Sequence, residues 1–513
     1  MRRSSCRRRR LRGLVSGVMS RLNILFITAD QWRGDSLSTV GHPHVRTPHI
    51  DGLARAGVTF RRHYAQAAPC GPSRASLYTG TYLHTHRAVL NGSPLDPRLT
   101  NIAREARAAG YRPALFGYTD TTADPRGLEP GDARLASYEG VLDGFDPVMP
   151  LHEDFAPFAA DLRRRGHEFG TEKQAFFKPV FDAQGRPHTL FGADESETRF
   201  LARAFTDWLA GQTEPWFAHV SFYRPHPPFV ACPPYHAYHD PARMPRPRRK
   251  PLLAAEAAQH PYLAFALGQA RYRAPVDDAA IQQAAAAYYG LMSQVDDAIG
   301  DIVYALHDRE ELKRTLIIFT SDHGEMLGDH WLVGKLGFYD GAYHVPLIVR
   351  DPRAEFDHTR GRKVDAFTES VDILPTVMDL IGAPVPDQAQ GLSLRPWLRG
   401  ELAPWRDAAH WEYDFRDPAT RAAETLFGLP ADRCNLAVIR DARFKYVHFA
   451  GLDPLLFDLA ADPDETTDLA RDPDHAGIAA KYARRLLSWR QSHDDRSLTR
   501  WRLIEGGPFR SVD

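Results

Sequence analysis

Cysteine is scarce in this chain: four in 513 residues, at Cys6, Cys70, Cys232 and Cys434, with no two close enough to form a paired ligand spacing. That excludes a disulfide-stapled scaffold and a clustered zinc site, and it points to a reducing, cytoplasmic compartment. Long apolar runs are missing too, since no stretch approaches the ~18 residues needed to cross a bilayer. There is no excess of one charge sign either: Lys+Arg total 64 and Asp+Glu 65. A global field that recruits nucleic acid or an anionic membrane is thereby excluded, so any anion site has to be local. The hydrophobic content of 43% excludes a disordered chain and supplies a large core with room for more than one domain. Only the start departs from this balance. Residues 1–19 carry seven arginines around a short patch at 14–18 that is too small for the apolar core of a signal peptide. They read as a basic, disordered extension (1–18) upstream of a natural start at Met19.

What is present is a series of buried strands that end in polar residues. The run 23–28 is continuously apolar, the pattern of a parallel strand covered on both faces, and it ends in Ala29-Asp30-Gln31. A carboxylate there stands where open α/β sheets bind ligands, although on the residues alone a helix or turn cap explains Asp30 equally well. Residues 47–57 read as a helix with Thr47 as cap, Pro48 at its first position and Gly57 as its stop. Pro69-Cys70-Gly71-Pro72-Ser73-Arg74-Ala75-Ser76-Leu77 places a cysteine at a helix N-terminus, where free N–H groups favour an anion and Arg74 adds planar donors one turn on. Taken alone, Cys70 is better explained as a small buried residue. His84 and His86 read as loop packing.

Residues 112–120 form a second strand with a polar end, and 125–195, rich in proline, glycine and charge, read as an insertion over one edge of the sheet. The strand 216–222 runs into Tyr223-Arg224-Pro225-His226-Pro227-Pro228-Phe229, whose prolines hold a histidine in one place. A helical stripe over 281–306 precedes the strand 315–320, which ends in Ser321-Asp322-His323-Gly324-Glu325, with Gly334-Lys335 beyond. Asp322 and His323 at one strand end and Asp30 at another make a mostly hard ligand set suited to Ca²⁺, Mg²⁺ or Mn²⁺. A further strand (345–349) and helix (370–381) lead to a boundary at 384–391. Short strands at 444–449 and 455–459 and a helix bearing Ile478, Tyr482, Leu486 and Trp489 follow. The expected domains are a catalytic α/β domain (19–385), a C-terminal subdomain (386–490) and a polar tail (491–513).

Cys70-Gly71-Pro72-Ser73-Arg74 resembles the Cys-x-Pro-Ser/Ala-Arg signature of the type I sulfatases and of the similar phosphonate monoester hydrolases, in the alkaline phosphatase superfamily. The run Asp322-His323-Gly324-Glu325 and the segment around His226 are similar to that family as well, and the resemblance spans 22–490. It implies an α/β fold of alkaline-phosphatase type: a mixed, mainly parallel sheet sandwiched by helices, with a smaller C-terminal α+β subdomain. It implies that a formylglycine-generating enzyme oxidises Cys70 to formylglycine, whose hydrated aldehyde is the nucleophile and forms a covalent ester. One divalent metal (Ca, Mn or Mg) is then expected on Asp30, Asp322, His323 and residue 70. Arg74 and Lys335 are expected to stabilise charge, His226 or Lys335 to assist the leaving group, and Asn91 to bind substrate.

Sulfatases proper carry Gly-Lys-Trp-His where this chain has Gly117-Tyr118-Thr119-Asp120. Tyr118 matches the phosphonate monoester hydrolase branch, while Asp120 stands where that branch has threonine; both are taken as substrate-binding. A carboxylate beside an anion repels it unless paired or protonated. The expected activity is hydrolysis of singly charged small-molecule esters (phosphonate monoesters, phosphate diesters, aryl sulfate monoesters) in preference to phosphate monoesters, by a chain that is compatible with a homo-oligomer. Other readings are a dedicated sulfatase acting on a small or sugar sulfate, a phosphatase-like enzyme with Cys70 unmodified, a two-metal mutase, and an inactive binding protein. The last is disfavoured because Asp30, Cys70, Arg74, His226, Asp322, His323 and Lys335 are all present.

Overall fold

The structure, a computed structural model, describes residues 21–511, so the basic extension at 1–18 lies outside the described residues. In chain order the elements that position the site are strand β1 (Asn23–Ala29), helix α1 (Pro48–Ala56), β2 (Val58–Tyr64), α2 (Cys70–Thr79), β3 (Pro113–Gly117), β4 (Asp146–Pro150), α3 (Glu197–Ala210), β5 (Phe217–Phe222), α4 (Asp278–Asp308), β6 (Thr315–Thr320), β7 (Leu347–Arg350), β8 (Arg362–Glu369) and α5 (Ile373–Ile381). Across the sheet the strands stand in the order β8-β2-β7-β6-β1-β5-β3-β4, with a short strand His344–Val345 paired to β2. β7 and that short strand are antiparallel to their neighbours, and the remaining pairings are parallel.

β1 is buried along its whole length because helices cover both faces of the sheet. Leu25 and Ile27 pack into a core with Leu201, Phe205, Leu291 and Ile299 of α3 and α4. Ile24 and Phe26, one residue out of step, pack into a second core with Leu77, Ile373 and Val377 of α2 and α5. The register sets Thr28 opposite Ser221 on β5 and Thr320 on β6, so the residues that follow these strands emerge side by side.

Several expectations are corrected. Thr47 flanks α1 but does not cap it: its hydroxyl pairs with Ser38 and Asp51, while Asp296, from α4, accepts from the amides of His49 and Ile50. The stretch 125–195 is more than an insertion, because β4 within it completes the sheet edge. The two prolines and half-exposed faces of β4 hide it from periodicity. Within the same stretch Phe155, Phe158, Phe176, Phe177 and Phe191 join the core. The stretch 384–391, read as the boundary, is bonded to the helix α2 region: Gln388 donates to the Thr79 and Thr100 carbonyls, and Gln390 accepts from the Tyr82 amide.

The C-terminal part is an antiparallel sheet of β9 (Ala408–Asp414), β10 (Asn435–Asp441), β11 (Phe444–Phe449) and β12 (Leu455–Asp458), covered by α6 (Ala476–Ser492). Instead of a plain tail, the last residues form a hairpin, β13 (Trp501–Ile504) with β14 (Gly507–Arg510).

Candidate active site

The parallel strands β1, β2, β3, β5 and β6 deliver their following residues to one edge of the sheet. β2 leads through a buried loop to Cys70, the first residue of α2. The amide of Gly71 donates to Asn91 Oδ1 at 2.9 Å, so Asn91 satisfies one of the free donors of the helix end. Cys70 is only 6% exposed, and its Sγ lies 3.1 Å from His323 Nε2.

Four ligand-type atoms converge here: those of Asp30, Cys70, Asp322 and His323 all lie within 4.8 Å of one another. His323 points its Nδ1 at the Gly324 carbonyl, 3.1 Å away; donation there leaves the Nε2 lone pair facing the cluster. Burial holds this histidine below its usual range, hence neutral and able to ligate. Asp322 Oδ1 accepts from the amides of Gln31 and His323. Asp30 Oδ1 is buried without a hydrogen-bond partner. Burial disfavours the charged form of Asp30, but His226, Lys335, His323 and Arg74 together outweigh it and hold the carboxyl well below the carboxylate range. Near neutrality Lys335 and Arg74 are the charged members of that group. An orphaned carboxylate oxygen among oxygen and nitrogen donors fits a hard divalent cation.

Arg74 is fully enclosed. It donates through Nε to Asp322, through its terminal nitrogens to Asp30, Ser221 and the Tyr118 carbonyl, and it lies 4.2 Å from the centre of the Tyr118 ring. Four of its five N–H groups are therefore engaged within the protein, and its first role is to brace the two carboxylates.

Lys335 donates to Gln31 Oε1 at 2.6 Å, and Gln31 in turn donates to Glu325. Burial works against the lysine's charge, but Cys70, Asp30 and Asp322 outweigh it and raise Lys335 above its usual range. His226 directs Nδ1 to the Pro227 carbonyl at 2.7 Å and packs against Tyr223. Burial lowers it to about 3, assisted by Lys335, so it is neutral at pH 7. Its loop is held by Arg224, which is buried against Glu197 and donates to the carbonyls of His226 and Pro228.

Gly117, at φ 97°, lets the chain turn close over β5: a Cβ there would lie 2.1 Å from the Ser221 carbonyl oxygen. Beyond it the Tyr118 hydroxyl donates to Asp30, and Asp120 lies 5% exposed with Oδ1 unpartnered. Burial raises the Asp120 carboxyl to about 7 against the pull of Arg74.

All ten sequence-predicted site residues thus gather at this edge. Asn91 is the most exposed of them and serves the helix end. His84 and His86 sit outside, bonded to Glu412 and Ser76. Gln31, Ser221 and Arg224 are missed by sequence reasoning; the only signal for them is a polar residue directly following or ending a buried strand.

The sequence profile of the sulfatase family matches residues 22–383. The chain belongs to the sulfatase family. A second profile, that of the C-terminal region of N-sulphoglucosamine sulphohydrolase, matches residues 328–492. Among relatives of this sulfatase-family chain, the multifunctional alkaline phosphatase superfamily protein PehA of Trinickia caryophylli is 40% identical over 95% of this chain and 99% of its own length. The phosphonate monoester hydrolase of Agrobacterium radiobacter superposes with a TM-score of 0.92 at 47% identity, covering 96% of this chain and 100% of that one. The phosphonate monoester hydrolase of Silicibacter pomeroyi gives 0.89 at 39% identity over the same shares. The protein is a hydrolase of the sulfatase and phosphonate monoester hydrolase type, with the alkaline-phosphatase-like fold expected from its motifs.

Proposed function

We propose that the chain is a formylglycine- and metal-dependent hydrolase of singly charged esters: phosphonate monoesters, phosphate diesters and aryl sulfate monoesters. The observation that carries this reading is the placement of Cys70 at a helix N-terminus beside two carboxylates and a histidine of metal-ligating type, with a charged lysine next to it. A divalent cation (Ca²⁺, Mn²⁺ or Mg²⁺) would be held by Asp30, Asp322, His323 and the side chain of residue 70, and when bound it supplies Lewis-acid polarisation of the ester and of the attacking hydroxyl. Conversion of Cys70 by a formylglycine-generating enzyme would supply a diol, one hydroxyl to attack and the second to release the product by carbon–oxygen cleavage.

The remaining work falls to this chain's own groups. Arg74 fixes Asp30 and Asp322 at the distances seen. Lys335, steered by Gln31, presents a positive charge to the ester oxygens. The lysine's protons and Nε2 of His226, the ring nitrogen not turned to Pro227, are the groups available to assist the leaving oxygen. Tyr118 donates a hydrogen bond at the Asp30 edge. Because Arg74 and Lys335 together only offset Asp30 and Asp322, the protein's own groups leave no net positive charge for substrate, which suits a monoanion better than a dianion.

Two measurements test the proposal. A mass spectrum of the Cys70 peptide, from protein made together with a formylglycine-generating enzyme, should show thiol-to-aldehyde conversion; unmodified cysteine in fully active protein would refute it. With one such preparation, kcat/KM on 4-nitrophenyl phenylphosphonate and 4-nitrophenyl sulfate should exceed that on 4-nitrophenyl phosphate. The phosphate monoester being the best substrate would overturn the charge argument.

A further inference from the structure

Lys335 lies outside every helix and strand, so no regular element places its ammonium. It stands at the end of a loop in which Leu327, Gly328, His330, Trp331 and Gly334 all hold left-handed backbone. Such a loop has no repeating ladder of hydrogen bonds to fix its exit, and its closing contacts decide where the next residue points. Two contacts close it. The Met326 amide donates to the Gly334 carbonyl at 2.8 Å, and Glu325 Oε1 accepts the amides of Leu327 at 2.8 Å and of Gly334 at 2.6 Å.

The other oxygen of the same carboxylate leads to the head of the lysine. Gln31 donates through Nε2 to Glu325 Oε2 and accepts from Lys335 Nζ on its Oε1 at 2.6 Å. An ammonium only donates and a carboxylate only accepts, so these two partners allow a single orientation of the amide between them. The rest of Gln31 is fixed as well. Its backbone is left-handed at φ 70°, its N–H donates to Asp322 Oδ1, its carbonyl accepts from the Tyr288 hydroxyl, and the residue is buried. Glu325 is completely enclosed. Burying a carboxylate to that degree is costly, and a neutral acceptor would satisfy the loop amides alone.

We infer that Glu325 is a positioning residue for Lys335: one oxygen fixes the stem of the lysine through Gly334, and the other fixes its head through Gln31. Glu325 is not among the ligand-type atoms that converge on Cys70, so it acts on the reaction through the lysine. This rests on the reading above, in which Lys335 assists the departing oxygen, and adds what keeps it aimed there. A lysine free to swing still offers a charge nearby but no longer holds a proton donor at one oxygen, so the loss falls on esters whose leaving group needs that help.

The test is a ratio, kcat/KM for 4-nitrophenyl phenylphosphonate over kcat/KM for phenyl phenylphosphonate, on formylglycine-bearing enzyme at saturating Mn²⁺. Phenolate is the more basic leaving group and depends more on a donor, so Lys335→Ala should raise the ratio by about tenfold. In Glu325→Gln the new NH₂ cannot accept from Gln31 while the other end still accepts from the loop, and the ratio should rise by about threefold or more. Added to Lys335→Ala, Glu325→Gln should change the ratio no further, as expected when one residue acts only through another. Losses of folding or of formylglycine conversion cancel, because each ratio is taken within one preparation. Should Glu325→Gln yield no folded protein, Gln31→Met cuts the link to the lysine head, spares the loop amides, and should raise the ratio likewise. An unchanged ratio in Glu325→Gln, or in Gln31→Met where that variant stands in, overturns the inference, and so does an effect of either that persists in the Lys335→Ala background. An unchanged ratio in Lys335→Ala itself takes the lysine out of the leaving-group step, so that reading falls first and the inference with it.

Discussion

Asp322 shows how much of this site rests on single atoms, since one of its oxygens takes two backbone amides and the other takes Arg74. Replacing it by alanine should abolish bound metal and activity while far-ultraviolet circular dichroism stays near that of the parent. A purified Asp322→Ala protein that keeps its metal content would show the ligand set to be wrong. The burial of Asp120 predicts a pH dependence and its sign. A carboxyl raised to about 7 is neutral below that pH and negative above it. For a monoanionic ester with an uncharged arm, such as 4-nitrophenyl propylphosphonate, kcat/KM should therefore decline as pH rises through this region, and Asp120→Asn should lose that limb of the profile. An unchanged limb in the variant would assign the titration to another group. At this scale Asp30, Cys70, Asp322, His323 and Lys335 are legible in the sequence, because each follows a buried run or sits in a motif. Gln31, Ser221 and Arg224 are not. Gln31 matters through a partner 304 residues away and Ser221 through one 147 residues away, and no local pattern encodes such pairings.

Among the elements, α1 depends on a cap supplied from outside itself. Both oxygens of Asp296 accept amides of the first turn of α1, so the carboxylate of one helix closes the N-terminus of another. Asp296→Ala should cost about 1 kcal/mol, read as a lowered denaturation midpoint, whereas Thr47→Val, if Thr47 were the cap, would cost about as much. A larger loss in Thr47→Val than in Asp296→Ala would contradict the assignment. The central strands are readable from sequence because burial on both faces forces continuous apolar runs. β4 and the terminal hairpin are not. The first is an edge strand with half-exposed faces, and the second leaves Trp501, Leu503, Ile504 and Phe509 exposed, so neither shows the apolar pattern of a covered strand.

For the molecule as a whole, the C-terminal sheet is locked to the catalytic domain through Lys445. Its ammonium, fully enclosed, lies 2.5 Å from Asp340 of the catalytic part and also contacts Glu465. Lys445→Ala would leave the buried Glu465 carboxyl without its cation, while the half-buried Asp340 keeps Arg440 and Tyr64, and should destabilise the protein by about 3 kcal/mol, measured by urea unfolding. A change below 1 kcal/mol would mean that the pair is solvated. The two-part organisation is visible in the sequence, but this coupling is not, because it joins residues distant in sequence through a buried charge. The enclosure of Cys70 also carries a consequence in time. The thiol is shut in partly by His323, and Asp322, beside it, is made 252 residues later (322 − 70). At ribosomal rates this leaves roughly 10–50 s in which position 70 exists but its cover does not. On the formylglycine reading proposed above, a modifying enzyme would have that interval of synthesis as its working period, and slower translation across the intervening strands would raise the fraction of chains converted.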